Sequence, residues 1–129
     1  QAFNALSGGQ RQLVMIAQPT GTNAEAFRML RTNLDFATLE TSGARTILVT
    51  SAVEQEGKST TAANLAIAEA RAGKRVVLVD LDLRIPYIDR FFNLMHAEGI
   101  TDVALGHADV ERAAQRIDLA TGQPMNRDR

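Results

Sequence analysis

Aliphatic residues form two short runs in the middle of the chain, on either side of an alanine-rich stretch. The runs are ILV at residues 47–49 and VVLV at residues 76–79, and such runs are typical of parallel strands buried on both faces. Between them, residues 59–72 are rich in alanine and end before Gly73, which predicts a helix with a glycine stop. A strand, a helix and a strand in this order predict a right-handed βαβ unit within a partial, doubly wound parallel α/β sheet of three αβα layers.

Helical periodicity extends over residues 24–40, ahead of the first predicted strand. Apolar side chains recur on one stripe of this segment: Phe27, Leu30, Leu34 and Ala37. Because Glu25, Arg28 and Arg31 are each three residues apart, they share a helix face and form a charged ridge. Spacing alone favours a solvated ridge with local ion pairs.

Residues 1–23 carry no long periodic pattern, and we interpret them as an N-terminal linker or anchor segment. Leu6 to Gln10 spell LSGGQ, the signature of ABC-transporter ATPases, whose loop would bind a nucleotide held by a partner subunit. That signature belongs after its own phosphate loop, whereas here it precedes Lys58, so a flexible Gly/Ser linker is the favoured interpretation. The run LVMIA at residues 13–17 is predicted to be a strand or an anchor lying against the core, followed by a turn.

Short helices are predicted after the second strand. One lies within residues 84–94, with three side chains turned inward: Ile88, Phe91 and Phe92. Another is predicted over residues 99–106, which end in glycine, and an amphipathic one over residues 108–116.

Composition and charge exclude several classes of function. A chain of 129 residues is one domain at most, and because it starts at Gln1 we expect a fragment of a longer protein. Fourteen Lys and Arg against fifteen Asp and Glu leave a net charge of -1, so a bulk attraction to nucleic acid is not expected. Cysteine is absent, which excludes disulfides and thiolate metal sites. No apolar run is long enough to span a bilayer.

The candidate chemistry lies where the first predicted strand passes into the alanine-rich helix. A loop of small and polar residues, 50–57, leads into Gly57-Lys58-Ser59 at the start of the helix. Loop amides and a helix N-terminus attract phosphates, while Lys58 supplies a charge and Ser59 offers a hydroxyl to Mg²⁺. The residues predicted to bind the nucleotide are Glu56, Gly57, Lys58, Ser59 and Thr60. This context predicts a P-loop NTPase-like domain, although Ala52 stands where the general phosphate-loop pattern has glycine.

Two carboxylates follow the second predicted strand. Alternation along a strand sends Asp80 and Asp82 to the same side as the chain leaves the sheet, beside the expected phosphates. A carboxylate in that place can coordinate Mg²⁺ or accept a proton from an incoming hydroxyl. Alternatively, one of the two aspartates caps the next turn.

These motifs, in this order, resemble those of the bacterial tyrosine kinases of capsular and extracellular polysaccharide synthesis. Residues 25–31, EAFRMLR, look like the E-x-x-R-x-x-R helix of that family, which is associated with ring-like self-association. Residues 49–61 look like its phosphate loop, and residues 78–84 look like its second acidic motif. The resemblance extends from Leu13 to Ile117.

The resemblance implies an ATP-dependent protein-tyrosine autokinase that regulates polysaccharide synthesis or export with the help of Mg²⁺. It implies that Lys58 binds the β and γ phosphates and that Ser59 ligates the metal ion. It further implies that Asp80 acts as a base toward a tyrosine hydroxyl and that Asp82 helps to hold the metal ion.

The resemblance also implies partners and a location. The ridge of Glu25, Arg28 and Arg31 becomes a subunit interface of a homo-oligomer, and the phosphotyrosine product would form on the tail of a neighbouring subunit. The implied partner is a membrane chain-length regulator of polysaccharide export, with the parent protein at the cytoplasmic face of the bacterial inner membrane.

The sequence departs from the resembled family at three points. Glu54-Gln55 stands where family members commonly have Pro-Gly, and Ile85 replaces a frequent basic residue. The third acidic motif, an aliphatic strand ending in Asp that completes the Mg²⁺ site, is absent. We therefore interpret residues 24–129 as the N-terminal part of an ATPase or kinase domain, truncated before that motif.

Two other functions compete with the kinase. A partition or septum-positioning ATPase switch would carry an extra Lys early in the loop, at a position that Val53 occupies here. A catalytically incomplete fragment would act only as an oligomerisation module through residues 24–40.

Overall fold

Helices carry nearly all the regular structure in the computed structural model, which describes residues 6–39, 45–95 and 98–126. In chain order they are α1 (Gly8–Arg11), α2 (Val14–Ala17), α3 (Thr22–Ala37), α4 (Lys58–Arg71), α5 (Ile88–Phe92), α6 (Ile100–Ala104) and α7 (Val110–Ala113). Within these ranges, no helix is both long and apolar enough to cross a membrane.

The two long helices, α3 with 16 residues and α4 with 14, pack against each other. Both were predicted from sequence, and each begins and ends within three residues of its predicted bounds. Gly57 precedes α4 with φ 85° and Gly73 follows its end with φ 88°, so both ends use a backbone conformation that favours glycine. The alanine-rich sequence of α4 lets it come close to its neighbours, and six of its residues are buried: Ala63, Asn64, Leu65, Ile67, Ala68 and Glu69.

The two aliphatic runs that flank α4 are not paired as predicted. Residues 45–50 and 74–82 contain no helix and form no β ladder, and the bridge that the structure does show in its described ranges joins Ile117 to Pro124. The predicted burial is wrong as well, because the side chain of Leu48 is 77% exposed and that of Val77 is 74% exposed. Helix α4 covers only one side of these runs, and no described element covers the other side.

Residues 7–11 form contacts that a flexible Gly/Ser linker would not make. Ser7 caps α1 by accepting a hydrogen bond from the Gln10 amide, and the Gln10 side chain accepts one from the Ser7 amide. Gly9 lies so close to α5 that an added Cβ would be 2.6 Å from the carbonyl oxygen of Arg90. These contacts all lie within the chain, so residues 8–11 form a packed helical turn and not the predicted flexible linker. Residues 1–5 of the predicted linker lie outside the described ranges, and the division of the chain at residue 23 stays a prediction.

The run LVMIA anchors the N-terminal segment in the core, as one of its two predicted alternatives stated. It does so as helix α2 and not as a strand, and the side chains of Leu13 and Met15 are 0% and 1% exposed. No strand of the described ranges lies beside this run, so a helical turn satisfies its backbone amides locally.

The core lies between α2, α4 and α5. The three side chains predicted to face inward from the first short helix are buried: Ile88, Phe91 and Phe92. Helices α6 and α7 lie within the segments predicted for them. Near the C-terminus a turn brings Gly122 against Ile16 and Leu13, which closes this side of the core.

A cluster of charges joins α3 to the end of α4. Lys74 donates hydrogen bonds to Asp35 on α3 and to Glu69 on α4, and Arg45 donates to the same Asp35 oxygen over 3.0 Å. The Lys74 ammonium, and after it the Arg45 guanidinium, hold the pKa of Asp35 below its ordinary value. The cluster thus links the helix that carries the charged ridge to the helix that follows the phosphate loop.

Candidate nucleotide-binding site

The phosphate loop reaches α4 through two residues with a left-handed backbone. Gly57, the N-cap of α4, has φ 85°, and Gln55 has φ 62°. Glycine adopts such angles without steric cost, whereas a residue with a Cβ is disfavoured there. Gln55 therefore occupies a position that suits glycine, the residue that the resembled kinases commonly have in this place.

An acidic side chain of the loop lies on the loop's own amides. The Glu56 carboxylate accepts hydrogen bonds from the amides of Ala52, over 3.1 Å, and Val53, over 3.4 Å. Successive amides that converge in this way form a site for an anion. Glu56, predicted as a nucleotide ligand, is thus a residue that shapes the loop in this structure.

Lys58 contacts the second acidic motif. Its Nζ lies 3.4 Å from Oδ2 of Asp82, and about a third of each side chain is exposed. The amide of Ile85, which donates to Oδ1 over 3.1 Å, and then the Lys58 ammonium, hold the pKa of Asp82 below its ordinary value. Asp82 is therefore ionised at neutral pH, and its pairing with Lys58 is of the exposed kind that a competing anion can displace.

Asp80 holds the turn that follows the acidic motif. Its Oδ1 accepts the amide of Asp82 over 3.0 Å, and its Oδ2 accepts the amides of Tyr87 and Ile88 over 3.1 and 3.2 Å. The capping alternative is therefore observed for this aspartate. A carboxylate has about four lone-pair sites, so three amide hydrogen bonds leave about one, on Oδ1, for a further proton or ligand.

The hydroxyls at the start of α4 have different surroundings. That of Ser59 makes no hydrogen bond to any residue in the described ranges, and it remains available to a ligand. That of Thr60 donates to Oε1 of Gln12 over 3.0 Å. Gln12 comes from the N-terminal segment, 48 residues away.

Asn64 holds this N-terminal segment on α4. The asparagine is 0% exposed; its Oδ1 accepts the amide of Met15 over 3.1 Å, and its Nδ2 donates to the carbonyls of Gln12 and Thr60 over 2.9 Å each. Neither Gln12 nor Asn64 was predicted from the sequence. An asparagine inside an alanine-rich helix was the one available signal, since a buried polar side chain needs partners.

The charged ridge on α3 pairs locally. Nε of Arg28 donates to Glu25 over 2.7 Å, and its Nη1 donates to the carbonyl of Pro19 over 2.8 Å. Glu25, Arg28 and Arg31 line one shallow depression together with Met29. The local ion pair is what spacing alone favoured; the role of the ridge as a subunit interface stays a prediction.

The class of protein follows from a similarity to one family of known proteins. The sequence profile of the CobQ/CobB/MinD/ParA nucleotide binding domain matches residues 47–117, which include the phosphate loop and the second acidic motif. The chain belongs to this family, and its fold class is that of the P-loop NTPases.

Several similar proteins are named as tyrosine kinases. The chain is 39% identical over 121 residues to the tyrosine-protein kinase YwqD of Bacillus subtilis, covering 90% of this chain and 51% of that protein. It is 36% identical over 98 residues to the putative tyrosine-protein kinase EpsB of Ralstonia solanacearum, covering 76% of this chain and 13% of that protein. It is 31% identical over 111 residues to the tyrosine-protein kinase wzc of Salmonella typhi, covering 86% and 15%. The chain thus spans about half of YwqD and a small part of the other two.

Proposed function

We propose that this chain is the nucleotide-binding part of a protein-tyrosine kinase that transfers the γ-phosphoryl group of Mg-ATP to tyrosine. The observation that carries the proposal is the approach of Lys58, at the start of α4, to Asp82 of the second acidic motif. Two motifs that lie 24 residues apart in sequence meet at one helix N-terminus. Similarity to proteins named tyrosine-protein kinases supports the choice of acceptor.

Phosphate binding would use the first turn of α4. The first amides of a helix have no partner within the helix and, with its dipole, attract anions. Gly57 lets the backbone approach the phosphates, and Lys58 exchanges Asp82 for the β and γ phosphates. Because the pair of Lys58 and Asp82 is partly exposed, this exchange costs little.

The residues present fit a magnesium ion. Asp82 is an ionised carboxylate and Ser59 has a free hydroxyl, and hard oxygen ligands are what Mg²⁺ prefers. Since the described ranges contain no group of three His, Cys, Asp or Glu side chains that could hold a metal ion, phosphate oxygens and water would complete the ligand set. When bound, the ion would neutralise charge on the transferred phosphoryl group.

Asp80 would act as the base toward the tyrosine hydroxyl. The proton would go to the lone pair that Oδ1 retains, since both lone pairs of Oδ2 accept backbone amides. The three amides hold the carboxylate rigidly, as a catalytic group requires. The resemblance of the motifs supports three further parts of this proposal. The protein would regulate polysaccharide synthesis, and it would act with a membrane partner. It would also assemble into a homo-oligomer through Glu25, Arg28 and Arg31.

Titration with Mg-ATP, followed by a phosphotransfer assay, tests the proposal. Lys58→Met removes a charge-assisted contact worth about 1.5–3 kcal/mol, so the affinity should fall about 10- to 150-fold. Arg75→Met, which removes an exposed cation outside the loop, is the matched control and should bind like the original chain.

Three results discriminate among the functions. Phosphotyrosine on an added tyrosine-containing polymer, lost in Lys58→Met, supports the kinase. Binding and hydrolysis of ATP with no phosphotyrosine would favour the partition-type switch, which shares the MinD/ParA part of the family description. No binding that depends on Lys58 would favour the oligomerisation module.

A further inference from the structure

We propose that Gln12 is a positioning residue of the nucleotide site, which directs the hydroxyl of Thr60 and links the N-terminal segment to the phosphates. This inference rests on the proposed binding of a nucleotide at the start of α4. It concerns a part of the chain that lies before the residues matched by the family profile, 47–117.

Asn64 and the buried residues that follow Gln12 fix the position of the Gln12 backbone. Its carbonyl accepts a hydrogen bond over 2.9 Å from the fully buried side chain of Asn64. The next residue, Leu13, is 0% exposed, and Asn64 also accepts the amide of Met15 over 3.1 Å. The side chain of Gln12 thus starts from a fixed point, although its end is exposed to solvent.

The side chain of Gln12 contacts Thr60 at the N-terminus of α4. Thr60 is the third residue of the helix, on the same turn as Lys58 and Ser59, and its Oγ1 donates to Oε1 of Gln12 over 3.0 Å. A hydroxyl has one proton to donate, so in this arrangement the proton of Thr60 points at Gln12. The amide nitrogen of Gln12 has two protons and makes no hydrogen bond to any residue that the structure describes.

A phosphate bound at the N-terminus of α4 would change the hydrogen bond between Thr60 and Gln12. Phosphate oxygens only accept, so the Thr60 hydroxyl can donate to one of them only by leaving Oε1 of Gln12. The Gln12 amide can then turn by half a rotation about its last bond and donate an N–H to the oxygen of Thr60 or to the phosphate itself. A glutamine can serve in both states, because its end group carries both an acceptor and a donor.

Two substitutions at one position test this role by titration with Mg-ATP at pH 7.5. Gln12→Ala removes one hydrogen bond worth about 1 kcal/mol, so the affinity should fall about fivefold. Gln12→Glu keeps the acceptor for Thr60 but cannot donate and adds a negative charge beside the phosphates, so it should bind more weakly than Gln12→Ala. Gln18→Ala, an exposed glutamine of the same segment, is the control and should bind normally.

A dependence on salt separates positioning beside the phosphates from a merely structural role. Salt screens the repulsion between the introduced glutamate and the phosphates, so the ratio of affinities between Gln12→Ala and Gln12→Glu should narrow as the ionic strength rises from about 0.05 M to about 0.5 M, and a ratio that does not change would count against the inference. Normal binding by either variant, or binding by Gln12→Glu as strong as by Gln12→Ala at pH 7.5, would overturn the inference alone. If the original chain binds no Mg-ATP, the proposed function and the inference fail together.

Discussion

Asn64→Ala is the substitution that most directly tests how the N-terminal segment is held on the phosphate-loop helix. The side chain is fully buried and makes three hydrogen bonds, two of them to backbone groups of the N-terminal segment. Its loss leaves the amide of Met15, a residue only 1% exposed, without an acceptor, at a cost of about 1–3 kcal/mol. The bond to the carbonyl of Gln12 adds about 1 kcal/mol. We expect the free energy of unfolding to fall by about 2–4 kcal/mol, a large part of the total for a domain of this size.

Urea denaturation followed by far-UV circular dichroism measures this change. Asn33→Ala changes an exposed asparagine of α3, is the matched control and should stay within about 0.5 kcal/mol of the original chain. Asn64→Asp keeps the acceptor for Met15 but faces two carbonyl oxygens with a group that cannot donate when ionised, so it should be destabilised at pH 7. A loss below about 1 kcal/mol for Asn64→Ala would contradict this prediction, since the amide of Met15 would then have another partner.

Two further predictions concern the packing of α1 and the charge cluster. Gly9→Ala places a Cβ 2.6 Å from the backbone oxygen of Arg90 and should lower the free energy of unfolding by about 1–3 kcal/mol. In the control Gly8→Ala the added Cβ meets no atom within 4 Å, so this variant should be neutral or slightly stabilised. Equal melting temperatures of the two variants would contradict the close packing of Gly9 on α5. Because Lys74 and Arg45 lower the folded-state pKa of Asp35 from 3.8, the cluster stabilises the protein above that pH, and its contribution is lost as the pH falls through the folded-state pKa. Asp35→Asn should therefore be less stable than the original chain at pH 7, and its free energy of unfolding should fall less on acidification. The control Asp109→Asn changes an exposed aspartate and should follow the original chain in urea denaturation at each pH.

Local sequence patterns predicted the helices and the centre of the site. The apolar stripe and the alanine-rich segment correspond to α3 and α4, because helical periodicity and propensity act over a few residues. The placement of Lys58 near Asp82 followed from the rule that sites form where strands end, although the strands themselves are not paired in the described residues.

Contacts between distant parts of the chain depend on how the elements pack, and local patterns did not predict them. The run LVMIA is apolar in either secondary structure, and its burial against Asn64 made it a helical turn. The burial of an aliphatic run depends on what covers it, so Leu48 reads as a core residue yet is mostly exposed. Asp80 showed its capping role only through amides seven and eight residues further on.

The phosphate loop with its lysine and the pair of aspartates after the second aliphatic run could both be read from the sequence, because each motif consists of residues that are close together in the chain. The sequence did not reveal Gln12 or Asn64 as neighbours of that loop, because their contacts span 48 to 52 residues and leave no mark on local spacing. Hydrogen bonds of a buried side chain are formed by whichever backbone the fold brings near, and that choice belongs to the tertiary structure.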